Sequence, residues 1–141
     1  MHQHGLLEVE LPWLQSGANL DHGIEPMALA TATDGPRFIS TSPEHFLKRL
    51  LCAGLGDCYA LAPVARAGEC GRRHQPLFTM LEYYRLGQDD RQLATECCQL
   101  LAALTGLGGP VQWLSYRTAF RQAIGLDPAT ASTQALLAAL K

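Results

Sequence analysis

The chain has 141 residues with a formal net charge of −2, and 48% of its residues are hydrophobic. This length predicts a single domain over residues 1–141, and the slight acidic excess argues against general nucleic-acid binding, which usually needs a basic surplus. Since no apolar run approaches the roughly 18 residues of a membrane span and the first five residues do not resemble a signal peptide, we expect a soluble cytoplasmic protein without a membrane partner.

Two strands are predicted before the first helix. Residues 5–12 alternate apolar and acidic side chains and stop at Pro12, which predicts a strand with one buried face. Residues 15–36 contain scattered Gly, Asp, Asn and Pro, which indicate a loop with room for a short strand. Residues 38–40 predict a second strand, which leads directly into the helix.

The first helix has a clear predicted start and end. We expect Ser42 to be its N-cap, Pro43 to lie in its first turn and Glu44 to lie near the positive end of its dipole. Gly54 ends it. The apolar stripe of this helix is formed by Phe46, Leu47, Leu50 and Leu51.

A β-hairpin with a long basic tip is predicted next. Residues 57–63 form a buried strand, residues 76–84 form the returning strand, and residues 66–75 form the tip. Because the tip is rich in cationic or potentially cationic groups, it is suited to bind an anionic ligand. These groups are Arg66, Arg72, Arg73 and His74.

Three side chains of the returning strand share one face. Residues 78, 82 and 84 have the same parity, so Phe78, Glu82 and Tyr84 point to one side of a regular strand. A ring, a carboxylate and a phenol below an arginine-rich loop suit a ligand with a flat base, phosphates and an amine. A solvated loop over a packed strand is the simpler interpretation.

The second half of the chain is predicted to be helical. A helix starts at Asp89 or Asp90 and runs through Leu104, and shorter helices follow at residues 118–124 and after Ser132. The inner side of the long helix is expected to carry Leu93, Cys97, Leu100, Leu101 and Leu104. Short strands with capped helices between them predict the α+β class with an antiparallel sheet.

The five cysteines predict reduced thiols rather than disulfides or a metal site. Their number is odd, no CxxC pair occurs, and nothing indicates secretion. The adjacent Cys97 and Cys98 would point to different faces of a helix, which does not suit a metal site. We therefore expect mostly buried thiols and no metal ligands.

Three segments resemble the class II lysyl-tRNA-synthetase-like proteins. Residues 41–51 are similar to the TSPE-x-x-x-KRLL segment of that family, residues 72–85 to its second signature motif, and residues 5–12 to its first, a dimer-interface strand that ends in proline. Within the family the chain most resembles the ligases that join (R)-β-lysine to elongation factor P and lack an anticodon domain. The resemblance implies a class II synthetase-like antiparallel sheet flanked by helices, of which residues 1–141 are the N-terminal part.

The resemblance implies an ATP-dependent ligase that activates lysine or β-lysine as an adenylate. It assigns the catalytic role to Arg66, which would contact the α-phosphate and the substrate carboxylate. It places Arg72 and His74 near the ATP phosphates and stacks Phe78 on adenine. The acceptor would be elongation factor P or a tRNA, and the protein would be a homodimer.

The same resemblance assigns three side chains to the amino acid. Glu44 and Glu82 would bind amino groups of the lysine-like substrate, and Tyr84 would lie near its amine. Simpler roles stay open: Glu44 could be an ordinary helix N-terminal acid and Phe78 plain core. Lys48 and the residue after it are expected to form an exposed face or to pair with nearby acids.

The chain also departs from the family pattern. Gly68 stands where the family has a glutamate at the nucleotide, which leaves the adjacent Glu69 as the ATP-binding candidate. The third signature motif is absent: no arginine follows Arg121, and the one acid after Glu96 is Asp127. Mg²⁺, expected for the family, therefore has no evident ligands. We expect a truncated relative with weak or no adenylation alone, or a catalytically inactive synthetase-like module for binding and dimerisation.

Overall fold

All the strands precede the last three helices in a computed structural model that describes residues 1–30 and 35–139. Contacts divide the chain into two compact units, Met1–Leu93 and Ala94–Lys141. A short 3-10 helix at His2–His4 is followed by β1 (Leu7–Glu8), β2 (Leu14–Gln15), β3 (Ala28–Leu29), β4 (Arg37–Ile39), α1 (Glu44–Cys52), β5 (Cys58–Ala65), β6 (Leu77–Tyr84), α2 (Asp90–Thr105), α3 (Tyr116–Ile124) and α4 (Thr133–Ala139). The predicted α+β class is confirmed.

The larger sheet has the order β1-β5-β6. Strands β5 and β6 are antiparallel along their full length, from the pair Cys58↔Tyr84 to the pair Ala65↔Leu77, which confirms the predicted hairpin. Strand β1 joins the other edge of β5 in parallel. A second sheet has the order β2-β4-β3 with antiparallel pairs. Strand β3 is the short strand for which the predicted loop left room, and β2, which overlaps only the first residue of that loop, was not predicted.

The core of the first unit lies where helix α1 packs on β5. Leu47, Cys58 and Ala60 are fully buried, and they form the centre of the apolar cluster. The predicted apolar stripe of α1 is only partly correct, because Leu47 alone among its four residues is buried and the others are partly exposed. The side chains packed around this centre are Val9, Leu11, Leu51, Leu55 and Tyr84.

The first predicted strand is shorter than expected. Only Leu7–Glu8 is paired as a strand, although the amide of Val9 also donates to the carbonyl of Tyr59 at 2.9 Å. Leu7 is 52% exposed, whereas Val9 and Leu11 pack against the core. Leu6 is 2% exposed, so the apolar residues of this segment that contribute to the core are Leu6, Val9 and Leu11, and not Leu7.

The buried side of helix α2 is not the side that the sequence predicted. Leu101 and Leu104, predicted to face inward, are 53% and 71% exposed, and the buried residue of the helix is Glu96. The helical period predicts an apolar stripe but does not tell whether another element covers it. The later helices agree better, since the hydroxyls of Ser115 and Ser132 cap α3 and α4.

The cysteines are free, as predicted, but two of them are not buried. Cys58 is buried, and Cys97 and Cys98 are partly so, whereas Cys52 and Cys70 are exposed. Cys52 ends helix α1 and Cys70 lies in the loop after β5, so neither has core around it. Within residues 1–30 and 35–139, no helix has the length and apolar character needed to cross a bilayer.

Candidate functional site

The loop between β5 and β6 is closed by its own backbone. The amide of Arg66 donates to the carbonyl of Pro76 at 2.9 Å, directly beyond the last strand pair. Further out, Gly71 and His74 exchange backbone hydrogen bonds of 3.1 and 3.3 Å, which form a tight turn. Gly68 has a φ of +79°, a conformation that favours glycine. The basic tip is therefore a hydrogen-bonded loop with a defined path.

This loop and the start of β6 enclose a cleft of about 600 Å³, which we call the loop cleft. Its size falls within the range of small-molecule sites. With three arginines, one glutamate and a neutral histidine, its lining has a formal charge of +2. The lining residues are Arg66, Glu69, Gly71, Arg72, Arg73, His74, Gln75 and Phe78. All five residues predicted for the nucleotide side are among them.

Arg66 is held in the loop cleft by three contacts. Its Nε donates to the carbonyl oxygen of Thr41 at 3.2 Å, and its Nη1 lies 3.8 Å from Oε1 of Glu69. Its guanidinium carbon lies 5.4 Å from the centroid of the Phe78 ring, within cation–π range. Thr41 is itself buried and donates its hydroxyl hydrogen bond to Asp21. The guanidinium is thus oriented before any ligand binds.

Glu82 accepts hydrogen bonds from two neutral hydroxyls. The Tyr84 hydroxyl donates to its Oε1 at 2.8 Å, and the Ser42 hydroxyl donates to its Oε2 at 3.5 Å. Burial, and then the hydrogen bond to Glu82, raise the pKa of Tyr84 far above its ordinary value, so the phenol stays a donor. The two hydroxyls together hold the Glu82 carboxyl group in a defined orientation.

Ser42 also affects the start of helix α1. The helix begins at Glu44 with Pro43 at its N-cap, so the predicted N-cap at Ser42 is wrong by one residue. The Ser42 hydroxyl still accepts the amide hydrogen of Glu44 at 3.0 Å, because that donor has no partner within the helix. The capping chemistry was predicted correctly even though its register was not.

Glu44 binds a cation from its own helix. Its Oε1 accepts a hydrogen bond from the ammonium of Lys48, one helical turn later, and the two groups form an ion pair. The sequence predicted that Lys48 could pair with a nearby acid in this way. The hydrogen bond to Glu44 raises the pKa of Lys48, and the charge of Glu82 raises it further. The charges of Glu82 and Glu44 also raise the pKa of Tyr84. We call Glu44, Lys48, Glu82 and Tyr84 the carboxylate cluster.

Two adjacent residues connect the loop cleft to the carboxylate cluster. The carbonyl of Thr41 holds Arg66, and the hydroxyl of Ser42 holds Glu82. Phe78 and Glu82 are four residues apart on β6, opposite Val64 and Ala60, so they are separated by about 13 Å on one face of the strand. Sequence reasoning assigned no role to Thr41, although it begins the Thr-Ser-Pro-Glu segment.

The described residues do not fit a magnesium ion. No group of three His, Cys, Asp or Glu side chains that could hold a metal occurs within residues 1–30 and 35–139. The acid that lines the loop cleft, Glu69, faces the Arg66 guanidinium rather than a second carboxylate. A divalent cation of this kind prefers several oxygen ligands, which this lining does not supply.

Comparisons with known proteins agree with the resemblance seen in the motifs. Residues 1–107 match the family profile of tRNA synthetases class II (D, K and N). Curated proteins named elongation factor P–(R)-β-lysine ligase are similar over nearly the whole chain. The protein from Pseudoalteromonas translucida (strain TAC 125) is 40% identical over an alignment of 138 positions that covers 93% of this chain and 42% of the relative.

Two further relatives give the same result. The ligase from Pasteurella multocida (strain Pm70) is 38% identical over 97% of this chain and 44% of its own length. The ligase from Haemophilus influenzae (strain PittGG) is 37% identical over 99% of this chain and 44% of its own length. The chain therefore spans less than half the length of these curated relatives.

Proposed function

The chain belongs to the class II tRNA synthetase family, and on this premise we propose that it binds ATP and a lysine-like amino acid as the substrate-binding part of an adenylate-forming ligase. The observation that carries the proposal is the joint placement of the loop cleft and the carboxylate cluster on one face of β6. The first supplies cations and a ring, and the second supplies oriented anions. These are the complementary groups for a nucleotide and an amine.

The nucleotide side follows from the charge of the loop cleft. The cleft lining, with its formal charge of +2, attracts a triphosphate, and Arg72 and His74 lie at the phosphates. Phe78 offers a flat surface on which adenine stacks. Arg66 is the proposed catalytic residue, and Glu69 is the proposed acid beside the nucleotide. The contacts of Arg66 with Thr41 support this, because they fix the guanidinium in advance.

In the proposed reaction an oxygen of the amino-acid carboxylate forms a bond to the α-phosphorus of ATP. The bond from that phosphorus to the oxygen leading to the β-phosphate breaks, and pyrophosphate leaves with the electron pair. Negative charge grows on the α-phosphoryl oxygens as this happens, and the Arg66 guanidinium stabilises it.

The amine side rests on Glu82 and Glu44. Glu82 is held by the hydroxyls of Ser42 and Tyr84, so an ammonium group meets an anion already in place. Tyr84 orients that anion through its donated hydrogen bond. A substrate with two amino groups has one carboxylate for each of them. This match favours lysine or β-lysine over amino acids with a single amine.

The acceptor is proposed from the relatives, whose names assign (R)-β-lysine transfer to elongation factor P. We propose elongation factor P as the acceptor for this protein too, and therefore a reaction in the cytoplasm. Because the chain spans less than half of those relatives, we propose impaired activity for this segment by itself.

A second candidate function is that of a catalytically inactive module for binding and dimerisation. The poor fit to magnesium among the described residues favours it. So do three large apolar side chains in and after the first-motif strand, since Leu7, Trp13 and Leu14 are each at least half exposed. A homodimer through this surface would cover them. Light scattering after size-exclusion chromatography measures the dimer directly.

Pyrophosphate exchange with ATP and lysine or β-lysine separates the two candidates. Exchange above background that falls about a hundredfold or more in Arg66→Ala supports the ligase. Arg49→Ala removes the same charge from an exposed position and should leave the rate unchanged. No exchange together with ATP-induced thermal stabilisation supports the inactive module. No exchange and no binding of ATP or of the amino acid at millimolar ligand would exclude the ligase and any ligand-binding role of the inactive module.

A further inference from the structure

Lys48 brings an ammonium group of the protein's own to the carboxylate cluster. It is hydrogen-bonded to Oε1 of Glu44, and the side chains of the two residues are 57% and 44% exposed. The charge of Glu82 also acts on Lys48. A lysine side chain therefore rests on one of the two anions where the proposed function places the amino groups of a lysine-like ligand.

The two carboxylates of the cluster differ in how their charge is balanced. Glu44 has a cation in direct contact with it, whereas the direct contacts of Glu82 are with the neutral hydroxyls of Ser42 and Tyr84. A first ammonium group can bind Glu82 without moving any cation. A second meets Glu44 with its Oε1 already bonded to the Lys48 ammonium, so it must displace that cation from Oε1 or bind beside it against like-charge repulsion.

We infer that Lys48 is a specificity-determining residue, a resident cation that competes with the second ammonium of a diammonium ligand for Glu44. The inference rests on the proposed function only for the identity of the natural ligand. The ion pair is exposed and joins residues one helical turn apart. Displacing it therefore weakens the binding of a diammonium ligand by only about two- to threefold. Lys48 thus lowers the advantage of diammonium ligands over monoammonium ligands without closing the site.

The inference is tested with two simple amines in place of the amino acid. Cadaverine carries two ammonium groups and pentylamine carries one, on carbon chains of equal length. Their dissociation constants are measured by NMR titration or calorimetry at low salt for the full chain and for Lys48→Gln. Arg49→Gln is the matched control, since it removes one positive charge from the next, exposed position of the same helix. Thermal unfolding checks that all three proteins remain folded.

We expect Lys48→Gln to bind cadaverine about two- to threefold more tightly relative to pentylamine, with no such change of ratio in Arg49→Gln. An equal change of ratio in both variants overturns the inference, because general loss of positive charge would explain it. An unchanged ratio in Lys48→Gln, or no cadaverine binding by any of the proteins, overturns it as well. Neither result affects nucleotide binding or pyrophosphate exchange, so failure of this inference is distinct from failure of the proposed function.

Discussion

The guanidinium of Arg66 faces the ring of Phe78, with 5.4 Å between the guanidinium carbon and the ring centroid. Arg66 is the first loop residue after β5, and Phe78 is the second residue of β6, so the contact crosses the hairpin. This contact joins the cation proposed for the α-phosphate to the ring proposed for adenine. It is the point at which the two parts of a bound nucleotide would meet.

The role of Phe78 is tested by comparing two polyphosphates. Phe78→Ala should weaken ATP binding about tenfold, because it removes a stacking surface and a cation–π partner. Binding of inorganic tripolyphosphate, which has no base, should change much less. Leu77→Ala, at a position that is 55% exposed, serves as the control. Equal losses for both ligands in calorimetric titrations would count against a base-binding ring.

The packing of α1 on β5 predicts an unequal response to the same substitution. Leu47 is fully buried and Leu61 is 57% exposed. Leu47→Ala should lower the free energy of unfolding by about 2–5 kcal/mol, since it leaves a cavity in the core. Leu61→Ala should have an effect of about 0.5 kcal/mol or less. Denaturant unfolding of both variants measures the difference, and similar losses would contradict this core.

The loop that forms the cleft depends on the conformation of Gly68. Its φ is +79°, and a Cβ built there meets nothing within 4 Å. Gly68→Ala should therefore lower stability by about 1–2 kcal/mol through backbone strain alone. Gly71→Ala is the matched control, because that glycine has equal space and no positive φ. If thermal unfolding shows equal effects, the path assigned to the loop is incorrect.

The second unit contains a carboxylate whose contribution to stability depends on pH. Asp127 accepts three hydrogen bonds or close contacts from Arg117 at 2.5 to 3.0 Å, and this pairing lowers the pKa of Asp127 below its ordinary 3.8. A lowered folded-state pKa means that the stabilisation is complete above 3.8 and is lost as the pH falls through the lower value.

Asp127→Asn should therefore destabilise the protein at neutral pH. The difference in stability between this variant and the unmodified chain should shrink on acidification. Thermal unfolding at neutral pH and well below pH 3.8 measures this. Glu10→Gln, at an exposed acid outside this pair, should show no such narrowing. A difference that stays constant with pH would contradict the assigned ion pair.

Much of the candidate site could be predicted from the sequence because its parts are local. The alternation along residues 76–84 placed Phe78, Glu82 and Tyr84 on one face, and the hydrogen bond between Tyr84 and Glu82 agrees with that parity. The hairpin brings its own two ends together, so the tip that carries Arg66 had to lie above the returning strand.

Contacts between distant residues could not be predicted in the same way. The hydrogen bond from Arg66 to Thr41 joins residues 25 positions apart, and that from Thr41 to Asp21 joins residues 20 apart. No local period encodes such pairs, because the partners lie far apart along the chain and meet only in the folded protein. The exposure of Leu104 on α2 is a related case, since periodicity marks an apolar side without naming what covers it.

The nucleotide role of the loop cleft is tested most directly by ATP binding to the full chain and to Arg66→Ala, measured by isothermal titration calorimetry with Arg49→Ala as the charge-matched control. We expect a single ATP site that weakens about tenfold or more in Arg66→Ala, because a charge-assisted contact to phosphate is lost. Arg49→Ala should bind as the unmodified chain does. Absence of ATP binding at millimolar concentration, or equal affinity in Arg66→Ala, would contradict the assignment of the loop cleft as a nucleotide site.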